Sequence, residues 1–560
     1  MPLTGTDRVS LRPVPPTSFA GMEPESPPTG ALAPFRSRVF LWLWLGVVIS
    51  SIGSWSQTVG AQWLFINDPN AATIVSLVQT ASALPMVLLA LVGGVLSDAF
   101  DRRRLMIWVQ VYFVVVASML SLLSSMHLVP PLLLLAFTFA IGVGSAIQLP
   151  TWQPLITELV PRSQIAAATR LDMVSVNVAR AVGPAIAGLV IAAFGVPPVF
   201  AFNAACTLFL ILALLAWRRE PKIEVRARER FLPALRAGGR YVWHEPVVRL
   251  ILVRLAMFIA PATAMWALLP LIAHQKLGLG ADGYGVLFAA LGVGAITAAF
   301  TMGRISKRIS ANIVLSIVAL AYAIAFALTM VVPGLLGALP LLLVMGFGWT
   351  ATVSTLNAEL QLYLPGWVRA RAIAVYLMTF TGAQAVAAPI WGQIAQHVSL
   401  AAAVWIASGV LVVVGLVGFA WHFPESEQLD RAPLSYWSET DLLEEPDPDA
   451  GPIQVVVEYV VPQERQSEWL SAMTDMRLSR LRSGAFRWEL YRVGERADTF
   501  MEIFAVPSWA EHQSQHDIRL TVQDQAIEEL AFSFVSKPAE TVHLLPATAP
   551  IVPTKEGDIA

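Results

Sequence analysis

Residues 73–104 read TIVSLVQTASALPMVLLALVGGVLSDAFDRRR. No side chain between residues 73 and 96 is charged, and the run then closes on Asp98, Asp101 and the arginines Arg102, Arg103 and Arg104. Crossing the hydrocarbon core of a bilayer takes roughly 20 mainly apolar residues in a helix, and a basic turn at one end holds that helix to a membrane surface. This stretch meets both conditions. Eleven more runs like it lie near residues 39–66, 105–126, 132–159, 165–194, 198–217, 248–273, 283–302, 312–332, 336–364, 370–396 and 400–421. Pro150, Pro154 and Pro389 each remove a backbone hydrogen bond inside a run and predict kinks.

Composition points the same way. Apolar residues make up 56% of the 560 and charged residues 14%, with a mean hydropathy of +0.63, whereas soluble domains carry about 25% charged residues. The predicted class is an all-α polytopic membrane protein of twelve transmembrane helices, followed by a carboxy-terminal segment of soluble character. Residues 1–37 are rich in Pro, Ser, Thr and Gly and hold no apolar signal core, so a disordered cytoplasmic tail is expected there. Cys206 is the lone cysteine, which excludes an intrachain disulfide. No glycine-rich loop closes on Gly-Lys-Ser/Thr, which disfavours transport driven by ATP.

Lys and Arg fall on alternate loops. One set holds Arg36, Arg38, the 102–104 arginines, Arg162, Arg304, Lys307, Arg308, Arg369, Arg371 and eight basic residues in the middle loop 218–247; the opposite set holds Lys276. The excess of basic residues on cytoplasmic loops then predicts that both termini and the middle loop are cytoplasmic. Landmarks also repeat at a fixed offset. Pro161 and Pro365 lie 204 residues apart, while Pro184 and Pro389, and Arg103 and Arg308, lie 205 apart. The expected architecture is therefore two parallel six-helix halves, 38–217 and 248–422, around a central cavity.

In the basic loop after the second span, Gly94, Asp98, Arg102 and Arg103 stand where a carboxylate and arginines can pair across a helix interface, and Gly93 and Gly94 permit close helix approach. This order resembles the signature loop of the major facilitator superfamily, with Ala99 and Asp101 departing from it. The resemblance implies that the carboxylate latches one access state shut against loop arginines and a helix N-terminus. Asp101 and Arg104 complete the candidate gating set. Gly303 stands where a second copy of Asp98 would fall, so the expected latch is one-sided. In the fifth span Gly183, Pro184 and Gly188 combine small residues with a kink, and resemble the Gly-Pro motif of that superfamily's antiporters.

Arg180 falls near the middle of the fifth span, about 22 Å along its axis. A charge there costs roughly 3 kcal/mol or more and usually faces a polar cavity. Asp172, Asn177, Gln57, Arg254, Glu359 and Gln384 are the other cavity or coupling candidates. The stretch from Thr355 to Pro365 with Arg369 and Arg371, together with Gly53, Ser54, Trp55, Gln62 and Trp63, is similar to the transmembrane secretion effector branch, which includes enterobactin exporters. That resemblance implies a bacterial inner-membrane exporter of a siderophore- or drug-like molecule, working by alternating access with protons as coupling ion.

Beyond an acidic, Pro-rich linker at 423–452, the pattern turns to strand 453–461, helix 463–482, strands 486–493 and 499–506, helices 508–516 and 521–532, and a strand at 541–545. This βαββαβ order predicts a ferredoxin-like α+β domain over 453–546, with a disordered end at 547–560. It resembles a small dimeric α+β barrel, which implies a homodimer through this domain and leaves oxygenase-like chemistry or ligand sensing as the alternative function. His512 and His516 share a helix face at metal-ligand spacing, but with no third ligand nearby in sequence a metal is not expected. No cofactor and no nucleic acid is expected either. The interleaved aromatic and basic residues from Phe231 to Trp243 predict an amphipathic helix on the cytoplasmic leaflet.

Overall fold

The computed structural model describes residues 30, 32–217, 231–423, 445–547 and 551–552. The expectations for most of the tail 1–37, for 218–230 and the linker at 424–444, and for the last residues, fall outside the described residues.

In lipid the backbone has no water to bond, so each apolar run closes its hydrogen bonds on itself as a helix. Six spans come first: α1 (Arg38–Trp63), α2 (Ala71–Ala99), α3 (Arg102–Ser125), α4 (Pro131–Leu159), α5 (Ile165–Phe194) and α6 (Pro197–Ala216). A connecting helix, α7 (Phe231–His244), leads to α8 (Pro246–Leu271), α9 (Ala281–Ile305), α10 (Ala311–Leu328), α11 (Gly334–Tyr363), α12 (Gly366–His397) and α13 (Leu400–Ala420). All twelve spans are long and apolar enough to cross a membrane. Their starts are marked by local chemistry. Ser37 and Ser399 accept from the backbone of the first turns of α1 and α13, and Asp101 does so for α3. Proline opens α4, α6 and α8, where its missing N–H costs nothing. Pro150, Pro154 and Pro389 lie inside helices as predicted, and so do Pro85, Pro261, Pro270 and Pro340.

The first six spans pack α1 on α5 and α6, α2 on α4, and α3 on α6. The same pairs recur in the second six as α8 on α12 and α13, α9 on α11, and α10 on α13. The halves meet along α2–α12 and α5–α9, second helix against fifth each time, as a duplicated unit requires. Close approach comes from glycine. A Cβ on Gly93 would lie 2.3 Å from the Ala146 carbonyl oxygen of α4, whereas Gly94 has open space around it. The expected role of Gly94 in close approach therefore belongs to its neighbour, because only Gly93 turns toward α4.

The carboxy-terminal segment contains β1 (Glu445–Pro446), β2 (Ile453–Val460), α14 (Gln466–Ser483), β3 (Arg487–Arg492), β4 (Thr499–Val506), α15 (Trp509–Ser514), α16 (Val522–Phe532), β5 (Glu540–Leu544) and β6 (Ile551–Val552). Four strands form an antiparallel sheet in the order β3-β4-β2-β5, while β1 pairs with β6. Alternation along β2 turns Val455, Val457 and Tyr459 inward onto Trp469 and Met473 of α14.

This α+β unit sits against the basic-loop end of the bundle. Glu245, just before α8, is 2% exposed. It accepts from the Tyr363 hydroxyl at the end of α11 (2.5 Å) and from Arg482 of α14 (3.0 Å). Arg482 also pairs with Asp524 at 2.5 Å. Removing one member of such a buried set costs about 3–5 kcal/mol, since the others stay buried and charged. The helix expected on the leaflet does form as α7, but its Tyr241 is 3% exposed and lies edge-on to Trp367, 5.6 Å away. Packed against both α12 and α14, α7 is a wedge between bundle and α+β unit.

Overpacking a tight helix contact costs about 1–3 kcal/mol. Gly93→Ala is expected to lower the thermal midpoint of the detergent-solubilised protein, and Gly94→Ala to leave it unchanged; equal shifts would contradict the packing of α2 on α4.

Candidate functional site

The basic loop is built on short-range bonds. Asp101 caps α3 by accepting from the Arg104 N–H at 2.8 Å. Arg102 pairs with Glu158 at the end of α4 (3.0 Å), and Arg103 donates to the last carbonyls of α6, Leu214 at 2.8 Å and Leu215 at 3.0 Å. Cations suit a helix C-terminus, where carbonyls lack partners. These contacts tie α3, α4 and α6 together inside the first half. The Asp98 side chain lies outside the described residues.

In α5 the small residues face two neighbours. A Cβ on Gly183 would meet Trp55 and the Ile52 carbonyl of α1, and Ser56 donates to the Gly183 carbonyl at 2.8 Å. Gly188 faces the other half, where a Cβ would lie 2.4 Å from the Ala281 carbonyl of α9. Pro184 offers no N–H to the Arg180 carbonyl one turn back. The kink therefore sits beside the mid-span charge.

Arg180 stacks on the Trp55 ring with its guanidinium carbon 5.4 Å from the centroid. Its Nε is buried without a hydrogen-bond partner, and among the described residues no carboxylate pairs with it. Trp55 in turn begins an aromatic chain across both halves. It lies 6.5 Å from Trp266 of α8 and 5.9 Å from Phe288 of α9; Trp266 reaches Trp349 of α11 at 5.1 Å, and Trp349 reaches Phe380 of α12 at 5.8 Å. The Trp266 indole N–H is also without an acceptor. Buried donors are normally satisfied, so two unmet donors beside one ring mark a place for an acceptor on a ligand. The four aromatic rings beyond Trp55 escape sequence reading, since a cavity tryptophan and a lipid-facing one are spelled alike.

The remaining candidates scatter. Asp172, two turns before Arg180, accepts from the Trp152 indole of α4 at 2.9 Å and is 9% exposed. Gln57 is bonded to Asn203 of α6 inside the first half. Asn177 donates to its own helix at Met173. Arg254 turns into the second half, where it bonds Asn312 (2.5 Å) and the Gly418 carbonyl (3.2 Å) and lies 5.2 Å over Phe423; it secures the chain after α13 rather than lining a cleft between halves. Glu359 stays partly exposed near the basic-loop end of α11.

Gln384 belongs to a seal. In the half of the bundle away from the basic loops, Gln79 of α2 donates to Gln384 at 3.1 Å and Thr80 to the Ala385 carbonyl at 3.0 Å. Gln396 donates to the Pro69 carbonyl, and Tyr284 of α9 donates to Gln62 of α1 at 2.7 Å while stacking on Trp63. By contrast, α4 and α11, equivalent in the two halves, have no substantial packing partner in the opposite half among the described residues.

In the α+β unit, His512 and His516 are joined by a third histidine that sequence distance hid. His512 Nε2 lies 3.0 Å from His543 Nε2 of β5. Burial, with His516 and His543 nearby, holds His512 down at about 3. Burial would raise the Asp524 carboxyl, but Arg482, Ser479 and Thr521 outweigh it and hold it below the ordinary value. Among the described residues no three such side chains are arranged to hold a metal ion.

The family model described as transmembrane secretion effector matches residues 29–550. The staphyloferrin A transporter of Staphylococcus aureus is 23% identical over 257 residues, 46% of this chain and 64% of that protein, so the match spans under two thirds of that relative. The enterobactin exporter of Salmonella typhimurium is 24% identical over 388 residues, 68% of this chain and 91% of that protein. Among solved structures, a bacterial homolog of the human lysosomal transporter Spinster superposes with a TM-score of 0.54 at 15% identity, covering 69% of this chain and 95% of that one. The nucleoside transporter NupG does so with a TM-score of 0.57 at 13% identity, covering 68% and 98%. At such identities the likeness shows the fold.

The histidine cluster makes the α+β unit acid-sensitive. His512 takes its proton near 6.5 in the unfolded chain and near 3 in the folded one. Below pH 6.5 the unfolded state therefore binds more protons, and stability falls as pH falls, by about 2 kcal/mol between pH 7 and pH 5. Hydrogen exchange of the full chain at the two pH values should show weaker protection of α14 and β2 at pH 5. His512→Gln should flatten that difference, and a pH-independent wild type would refute the burial of a neutral His512.

Proposed function

We propose an export function for this chain, which belongs to the transmembrane secretion effector family of the major facilitator superfamily. The substrate is a small organic molecule, siderophore- or drug-like, with an aromatic body and an anionic or strongly accepting group. One observation carries this reading: Arg180, with an unmet Nε donor, stacks on Trp55 where an aromatic chain crosses both halves. An aromatic anion would stack among those rings and satisfy the guanidinium in a low-dielectric site, where such a bond is strong.

The seal in the half of the bundle away from the basic loops, set against the lack of packing for α4 and α11, supports a cleft open toward the basic loops. With those loops in the cytoplasm of a bacterial inner membrane, this is the loading state of an exporter. Alternating access would then open the Gln79–Gln384 and Gln62–Tyr284 contacts and close the basic end, with proton antiport supplying the work and Asp172 as the proton carrier. The α+β unit, read as ferredoxin-like from its β3-β4-β2-β5 strand order, then lies in the cytoplasm. Its outer sheet face aligns Ile503, Val456 and Val542 in register as an apolar row, suited to pairing with a second copy.

Radiolabelled enterobactin and simpler aromatic anions, offered to inverted membrane vesicles, should accumulate and should leak back when a protonophore collapses the gradient. Arg180→Gln should weaken binding roughly 10- to 100-fold, the worth of a charged hydrogen bond, and Asp172→Asn should uncouple transport from protons. Equal accumulation by wild type and Arg180→Gln would refute the site, and indifference to the protonophore would refute antiport.

A further inference from the structure

A cavity of about 30 Å³ lies inside the second half, bordered by α8, α10, α11 and α13. A water takes about 10–15 Å³ of such free space, so there is room for two waters or one monatomic ion, and too little for a polyatomic anion such as phosphate. Its wall includes Arg254 of α8, Ser316 of α10, Thr352 of α11 and Gly418 of α13, and the remaining lining residues are apolar. We propose that this cavity holds a single halide-sized anion, chloride in the cell, between the Arg254 guanidinium and the Thr352 hydroxyl. The site is separate from Arg180 and does not rest on the transport reading.

The charge of Arg254 selects the sign of the ligand. This arginine stands about 12 Å along α8 from Pro246 and is 9% exposed. Its contacts are all to neutral groups. It donates to the Asn312 side-chain oxygen at 2.5 Å and to the Gly418 carbonyl at 3.2 Å, and it lies over the Phe423 ring. Among the described residues no carboxylate pairs with it, and none lines the cavity. Two of the five N–H donors of a guanidinium are used in this way, and the rest are available to a ligand. The Gly418 carbonyl belongs to the last turn of α13, where the helix dipole supplies about half a negative charge. The remainder of the positive charge is uncompensated within the membrane, where that is costly. A monovalent anion supplies what is missing.

The hydroxyl marks where the anion sits. Thr352 is 2% exposed, and its Oγ1 has no hydrogen-bond partner. The hydroxyls of Thr263, Thr297 and Thr301 each close on the carbonyl four residues back in their own helix. Thr352 forgoes that bond and borders the cavity instead, with a proton to donate. Ser316 keeps its proton on the Asn312 carbonyl at 3.0 Å, so Thr352 is the hydroxyl donor of the site. Gly418 keeps the space open: a Cβ there would lie 2.5 Å from Ser316 Oγ and 2.7 Å from Arg254 Nη2.

The test follows the thermal midpoint of the full chain in lipid nanodiscs as chloride replaces gluconate at constant ionic strength. The midpoint should rise saturably with chloride, by mass action, and bromide should act as chloride does. Thr352→Val keeps the shape of the side chain but removes the donor, and should weaken the apparent Kd for chloride roughly tenfold or more, the worth of one hydrogen bond to a charged group. Arg254→Gln should abolish the response, and Thr352→Val decides the matter where that variant fails to fold. Arg180→Gln, which disables the proposed transport site, should respond to chloride as the wild type does. A midpoint indifferent to chloride would overturn the proposal and leave a cavity filled by water. A chloride response unchanged in Thr352→Val, or lost in Arg180→Gln, would place the anion elsewhere, and equal stabilisation by sulfate would overturn the size of the site.

Discussion

Lipid tails are as apolar as leucine, so nothing analogous to the hydrophobic effect in water presses one transmembrane helix onto another. What holds this bundle is backbone contact at residues too small to prevent it. Gly294 and Gly346 place α9 and α11 so close that any Cβ would collide with the Leu343 and Leu291 carbonyls. Gly188 and Gly285 do the same between α5 and α9, and Gly392 between α12 and α2. The last three lie on the seams between the halves. The seams along which a rocking motion would run are thus lined by residues that offer smooth surfaces and few side-chain interlocks. Polar contacts such as Gln79–Gln384 are added toward one end, where a switch needs bonds that can be exchanged for others of similar strength.

Most of the architecture is legible in the order of residues, for a physical reason. A span must be apolar along its whole length, and the loops must carry the charge, so the boundary between them is written in composition. The fifth span is read to the residue at 165–194, because Gly195 with φ of 81° ends it sharply. Where charged residues continue a helix past the hydrocarbon, reading by hydropathy stops short: α9 runs from Ala281 to Ile305 and includes Asp282 and Arg304, and α12 begins at Gly366, before Arg369 and Arg371. The soluble strands are equally plain, since burial on one face of a sheet forces alternation.

The site is less legible. Arg180 announces itself, because a mid-membrane charge is too costly to be incidental. The rings around it do not. Trp266 and Trp349 look like any other tryptophan in an apolar run, including Trp108 and Trp405, which are 71% and 50% exposed on the outer surface of the bundle. Which face a residue takes depends on helix rotation, and rotation is set by glycine contacts made far along the chain. Polar candidates mislead for the same reason: Arg254 and Gln57 are intramembrane, yet each is engaged inside its own half. His543 lies 31 residues from His512, and only sheet pairing makes them neighbours.

The Glu245 cluster has a dimension in time as well as space. Its arginine partner, Arg482, comes 237 residues later in the chain. At a synthesis rate of about 5–20 residues per second, Glu245 waits roughly 10–50 s for that partner. Tyr363 arrives about halfway through the interval, 118 residues on, and supplies a neutral hydrogen bond in the meantime. Through most of its birth, then, the second half carries at its threshold a carboxylate whose Arg482 partner has not yet been made. A residue made 237 positions later is what completes this part of the electrostatics around a helix inserted long before.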